Sequence, residues 1–301
     1  MEISVYYYLL CLILWPISLA ADLFLKIWHL FWPENSVRIL NYHSISSDIR
    51  RRRMGRISVS PEIFAAQMKF LADHNFNVID LDDFLAWKQA SHRIPPKTVI
   101  LTFDDGFEDN YYNAFPVLSK YSYKAVLFVI TKYIDGDVPF PWIKKYLFSD
   151  GASKLTGLPL KKHELKVMSD EGITVASHTR HHISFGSLDK KRVSEEVFGS
   201  KKELEEILGK RVRYLAYPYG SWGDFDNLDK KIIQSASYEA ALSTKVGSND
   251  LKSDLYELRR IPIFEIDGLS IFRRKVRGAY DFTAFFQLLG SKIRKLIKGK
   301  T

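Results

Sequence analysis

Residues 98–106 read TVILTFDDG, a β-branched apolar run that passes without a break into two adjacent carboxylates and a glycine. The run has the composition of a strand, and the glycine after it permits a sharp turn. Runs of the same kind recur at Val37–Asn41, Asn77–Ile79, Lys124–Ile130, Ile173–Ala176, Arg213–Ala216, Glu239–Leu242 and Arg259–Ile263. Amphipathic stretches separate them. Phe64, Met68 and Leu71 recur at helical spacing after Ser60-Pro61, a good N-cap followed by a first-turn proline, and Val193 to Leu208 forms a longer helix. Strand and helix in regular alternation predict a parallel α/β sheet, closed as a TIM-type barrel or a shortened variant of one. Active sites of such barrels lie where strands end, so reactive side chains are expected just after the apolar runs. Residues 135–160 break the rhythm and predict a long surface loop beside the site mouth.

Three strand ends carry candidate chemistry. At the first, Asp104 and Asp105 would point to opposite sides of a continuing strand, but a turn at Gly106 lets both face one cavity. Two carboxylates so close repel, and they persist best if a cation neutralises one and the other serves as a base. A plain Asx-capped turn is the bland alternative for the pentapeptide taken alone. At the second, Ser177-His178-Thr179-Arg180-His181-His182 follows the strand ITVA. Imidazoles four apart converge on one ion if the loop enters a helical turn, while His181 projects away. Asp105, His178 and His182 together make a two-histidine, one-carboxylate set with positions open for water and substrate, and Asp104 is placed to act as general base. At the third, Leu215-Ala216-Tyr217-Pro218-Tyr219-Gly220 ends another strand in a tight turn. Pro218 fixes one backbone angle and Gly220 frees another, which aims a backbone N–H, that of Tyr219, at a developing oxyanion. Without its position after a strand, YPYG is only a turn.

In this order and spacing, TFDDG, HTRHH and AYPYG resemble the motifs of the polysaccharide deacetylase family, carbohydrate esterase family four, over Val37 to Ile263. The resemblance implies a distorted (β/α)7 barrel that hydrolyses N-acetyl groups of glycans, or O-acetyl esters in some branches. It implies Asp104 as catalytic base and Asp105, His178 and His182 as ligands of a divalent ion, zinc or a similar one. It also implies that the Tyr219 amide, set by Pro218, binds the acetyl oxyanion. Two departures stand out. Ala216 replaces an arginine that in many members orients the catalytic aspartate, and Arg260 is the candidate substitute. No histidine follows His182, so the late histidine that usually serves as general acid is missing. The branch of poly-N-acetylglucosamine deacetylases has an early Tyr-His, which Tyr42-His43 matches, and this implies His43 as the acid.

The expected substrate is thus an N-acetylhexosamine-containing glycan or a lipid-linked sugar. A catalytically silent glycan-binding homologue and an O-acetyl glycan esterase are the alternatives. The chain of 301 residues, 46% hydrophobic, supports one large core. Its single cysteine, Cys11, excludes intramolecular disulfides and thiolate zinc sites. Residues 1–33 read as a membrane anchor or signal-like segment because Ile3 to Ala21 carry no charge, 34–270 as the catalytic domain and 271–301 as a basic tail, possible amphipathic helix included. The net charge of +9 is concentrated in Arg50–Arg53 with Arg56 and in the tail. With the apolar N-terminus it points to a membrane-associated or cell-envelope protein, the side of the membrane left open, and no nucleic-acid signature accompanies it.

Overall fold

The computed structural model describes residues 15–31, 35–48, 57–143, 157–284 and 286–290. Its centre is an eight-stranded sheet in which every pairing is parallel. The strands are β1 (Val37–Tyr42), β4 (Asn77–Ile79), β5 (Thr98–Phe103), β6 (Val126–Val129), β7 (Thr174–Ser177), β8 (Tyr214–Ala216), β9 (Ala240–Leu242) and β10 (Ile261–Pro262), and their path runs β10-β1-β5-β6-β7-β8-β9. A separate two-residue pair, β2 (Ser44–Ile45) with β3 (Ser58–Val59), lies beside it. The sheet is irregular at β5. Along one edge β5 pairs with β1 over its whole length, whereas its other edge is shared, β4 pairing with Thr98–Ile100 and β6 with Thr102 and Phe103. Leu258 bridges to Leu242 beyond β9, just before the chain enters β10. The architecture is a parallel-strand α/β half-barrel, with its strand C-termini gathered at one mouth.

Alternation along each strand sorts side chains into two buried layers, as expected for strands covered on both faces. Val37, Ile39, Ile100, Val126, Phe128, Ala176, Tyr214, Ala216 and Leu242 form one layer. Leu40, Tyr42, Leu101, Phe103, Leu127, Val129, Val175 and Leu215 form the other, against the helices. There Tyr42 stacks on Phe103 and meets Phe64 edge-on.

The helices are α1 (Trp15–Phe31), α2 (Pro61–Asp73), α3 (Leu81–Gln89), α4 (Phe115–Lys120), α5 (Lys162–Asp170), α6 (Lys190–Leu208), α7 (Asn227–Ser235) and α8 (Leu269–Val276). Ser60 caps α2 by accepting the Ile63 N–H, with Pro61 in the first turn. Helix α6 begins three residues before the sequence reading placed it, because the Asp189 side chain accepts the Arg192 N–H.

Two expectations concern the termini. No described helix is long and apolar enough to cross a membrane. Of the uncharged run at 3–21, residues 3–14 lie outside the described residues, as does the Arg50–Arg53 cluster. The remainder belongs to α1, where Ser18 and Asp22 are buried and α1 packs against α8. In the stretch read as a basic tail, Arg274 and Lys275 are buried rather than solvated. Lys275 donates to Asp267 Oδ2 at 2.5 Å and to Pro262 O at 2.7 Å, tying α8 to β10. Breaking one side of a buried ion pair strands the other charge. Lys275→Met is therefore expected to cost about 3–5 kcal/mol in urea unfolding, and adding Asp267→Asn to recover part of it; a double variant less stable than the single would contradict this.

Candidate functional site

The strand C-termini bring together all three sequence motifs. Beyond Phe103 the backbone turns over through left-handed residues, Asp105 at φ +72° and Gly106 at φ +79°. That reversal sends both carboxylates inward. Gly106 has no room for a side chain, since a Cβ there would sit 2.5 Å from Val129 Cγ1. Thr179 at +66°, His182 at +59° and Tyr219 at +60° are also left-handed, so four of the ten such non-glycine residues among the described residues lie in the three motifs. Conformations of this kind cost free energy and are kept where the surrounding fold over-determines them.

Asp104 and Asp105 are 2% and 4% exposed. Arg260, fully buried, grips Asp104 with two parallel hydrogen bonds, Nη1 to Oδ1 at 2.7 Å and Nη2 to Oδ2 at 2.8 Å. Burial pushes the Asp104 carboxyl up, but Arg260, His178 and His43 outweigh it and hold the group well below the usual carboxylate range. Asp105 goes the other way. Burial and the Asp104 charge raise it far above its ordinary value, and Arg260 offsets this only in part.

The Asp105 Oδ1 lies 3.6 Å from His178 Nε2 and 3.6 Å from His182 Nε2. Burial lowers both imidazoles, so these are lone-pair donors rather than partners in ion pairs. His178 Nδ1 donates to Ala216 O at 2.8 Å, which fixes the tautomer and leaves Nε2 bare. Three donors facing one point fit a metal ion: bonds of about 2.1 Å in a tetrahedron place donors about 3.4 Å apart. The ligand atoms of these three residues all lie within 4.8 Å of one another, and among the described residues no other group of three or more potential ligands is found.

His43 follows β1 at the same mouth, with its backbone carbonyl held by Asn110 Nδ2 at 2.7 Å. Burial lowers its imidazole to about 4, although Asp104 pulls upward. Pro218 is buried, and the Tyr219 ring packs 4.9 Å from His182. No hydrogen bond among the described residues takes the Tyr219 backbone N–H. Its carbonyl instead accepts the Thr244 hydroxyl.

Two further residues shape the site and carry no motif. The Trp142 ring, from the 135–143 segment, lies 5.1 Å from His182. Glu196, buried on α6, accepts the backbone N–H groups of Arg180 and His181 and the His181 ring, which pins the loop between the two histidine donors. His181 thus faces α6, not the metal set. Nothing local marked Glu196, which sits beside Glu195 on a helix rich in Glu and Lys.

The Arg260–Asp104 pair makes a pH-dependent prediction. A carboxyl depressed in the folded state stabilises above its unfolded value near 4, and the benefit fades as pH falls through the folded value. Arg260→Met removes the cation and leaves a buried carboxylate whose titration moves upward, so the variant gains from protonation on acidification while wild type does not. The expected deficit in urea unfolding is about 3–5 kcal/mol at pH 7, narrowing toward pH 4.5. A deficit that widens on acidification would contradict the pairing.

The family described as Polysaccharide deacetylase matches residues 91–241, half of the chain. A poly-β-1,6-N-acetyl-D-glucosamine N-deacetylase of Staphylococcus aureus is 27% identical over 251 residues, covering 77% of this chain and 80% of its own. Among solved structures, the Streptococcus pyogenes deacetylase PplD in complex with acetate superposes with a TM-score of 0.67 at 23% identity over 80% of this chain and 98% of that one. IcaB from Ammonifex degensii gives 0.64 at 20% over 81% and 98%. The two structures share the fold. With half its length matched by the family and its three motifs gathered at one mouth, the chain belongs to the polysaccharide deacetylase family.

Proposed function

We propose that the protein is a metal-dependent hydrolase that removes N-acetyl groups from an N-acetylhexosamine-containing glycan or lipid-linked sugar. The observation that carries this reading is the division of labour between adjacent carboxylates: Asp104 is committed to Arg260, while Asp105 faces two bare imidazole nitrogens. The S. aureus relative named as a poly-β-1,6-N-acetyl-D-glucosamine N-deacetylase supports the choice of an N-acetylated sugar.

Asp105, His178 and His182 would hold a divalent ion, zinc foremost, that supplies Lewis acidity to the acetyl carbonyl and to the attacking water when bound. The remaining work falls to the chain itself. Asp104, kept ionised by Arg260, accepts the proton of the attacking water. The Tyr219 N–H, set by the buried Pro218, donates to the oxyanion that forms on the acetyl group. His43 is neutral before reaction, because burial holds it near 4. It therefore gives a proton to the nitrogen only after receiving one. The water proton, shared between Asp104 and His43, is that source: the carbon–oxygen bond forms, the carbon–nitrogen bond breaks, and acetate and a free sugar amine leave.

The alternative of a silent glycan-binding homologue arose from Ala216 standing in place of an arginine. Arg260 supplies a guanidinium to Asp104 from β10's threshold instead, which favours activity. A cell-envelope or membrane-associated location belongs to the same proposal, supported by the uncharged run at 3–21 and by the kind of substrate.

The test is acetate release by zinc-loaded protein from β-1,6-linked N-acetylglucosamine oligomers and from polyprenyl-linked N-acetylhexosamine, with and without chelator. Release from at least one substrate, abolished by chelation and lowered about 10²–10⁴-fold in Asp104→Asn at unchanged metal content, is expected. Wild-type turnover in that variant would sink the scheme.

A further inference from the structure

Beyond β9 the chain passes through Ser243-Thr244-Lys245-Val246, and this short strap touches two parts of the site at once. On one side, Thr244 donates its backbone N–H to Gly220 O at 2.9 Å and its hydroxyl to Tyr219 O at 2.5 Å. Gly220 packs so closely that an added Cβ would lie 3.0 Å from Thr244 N. On the other side, Ser243 O accepts Arg260 Nε at 2.8 Å, and Lys245 O accepts the Arg260 backbone N–H at 3.0 Å. The turn that carries the Tyr219 N–H, held through its next two carbonyls, and the guanidinium on Asp104 are thus registered against each other by one segment.

That segment is itself clamped. Gln287 donates Nε2–H to Thr244 O at 2.9 Å and accepts the Val246 N–H at Oε1, 2.8 Å away. A single primary amide so placed satisfies both backbone groups that flank Lys245. The Lys245 side chain adds a third fixing, reaching Glu257 at 2.5 Å and lying 3.9 Å over the Trp222 ring, in the loop that continues from the Tyr219 turn.

Given the deacetylase reading of the site, we propose that Thr244 and Gln287 are positioning residues. They set the separation between the Tyr219 N–H and Asp104, through the strap, without contacting the metal ligands or Asp104. Groups that stabilise a transition state must be held to within about 0.5 Å, and a displacement of about 1 Å costs on the order of 10²-fold in rate. The effect belongs in kcat, since the donor engages an oxyanion that the ground state lacks.

Thr244→Val keeps the side-chain shape and removes the hydroxyl, Thr244→Ser keeps the hydroxyl, and Gln287→Met keeps length and removes both amide hydrogen bonds. Each full-length, zinc-loaded variant is assayed for bound metal, for kcat and KM on N-acetylglucosamine oligomers, and for amide hydrogen exchange across residues 217–222. Expected are a fall of about tenfold in kcat per metal-loaded site for Thr244→Val and Gln287→Met, KM within about twofold, faster exchange at 219–222, and near wild-type behaviour in Thr244→Ser. Unchanged kcat with unchanged exchange overturns the proposal, as does a loss of activity that merely follows the loss of metal-loaded protein. Wild-type protein without activity on any N-acetylated sugar would instead overturn the deacetylase reading, and the exchange measurement would still decide whether Thr244 and Gln287 hold the turn.

Discussion

Two carboxylates adjacent in the chain and both nearly inaccessible to water impose the constraint on which the site depends. Neither burial nor proximity lets both ionise unaided. The fold resolves half of the conflict with its own chemistry, by laying the Arg260 guanidinium along Asp104 in a two-point contact. For Asp105 it provides lone pairs instead of charge, from two imidazoles that burial keeps neutral. Once ionised, Asp105 faces two neutral nitrogens and no counter-charge, a setting that a divalent cation would complete under the proposed reading. Under that reading, base and metal ligand differ in which cation each carboxylate receives.

The geometry follows from where the strands stop. β5, β7 and β8 are neighbours or near neighbours in one parallel sheet, so their C-terminal ends lie side by side. Each is followed at once by a backbone reversal through left-handed residues, and each reversal turns a reactive group inward. Strain at Asp105, Thr179, His182 and Tyr219 is sustained because the flanking backbone is held in the sheet and by hydrogen bonds such as those from Arg180 and His181 to Glu196. Arg260 reaches the same mouth because the chain returns beside β1, Leu40 pairing with Ile261, after bridging to β9 at Leu258.

Much of this was legible in the chain because it is written in local patterns. Asn77–Ile79 and Thr98–Phe103 coincide with the runs that predicted them, and other strands differ by a residue or two at their ends, where pairing rather than composition decides. Two-residue strands such as Ser44–Ile45 have too little length for any periodicity and were not foreseen. The three motifs stood out because each joins an apolar run to reactive residues within a few positions. Glu196, Trp142, Thr244 and Gln287 were not singled out, because each meets the site through tertiary contacts with no local signature. Lys275 was misread for the same reason: a lysine among arginines looks solvated until Asp267 is seen buried beside it.

The most direct test of the central claim is a crystal structure of the zinc-loaded protein with the ion located by anomalous scattering. The account predicts one ion bound at about 2.0–2.2 Å by Asp105, His178 Nε2 and His182 Nε2, with Asp104 outside the coordination sphere and still paired to Arg260. An ion coordinated by Asp104, or one held without both histidines, would contradict it.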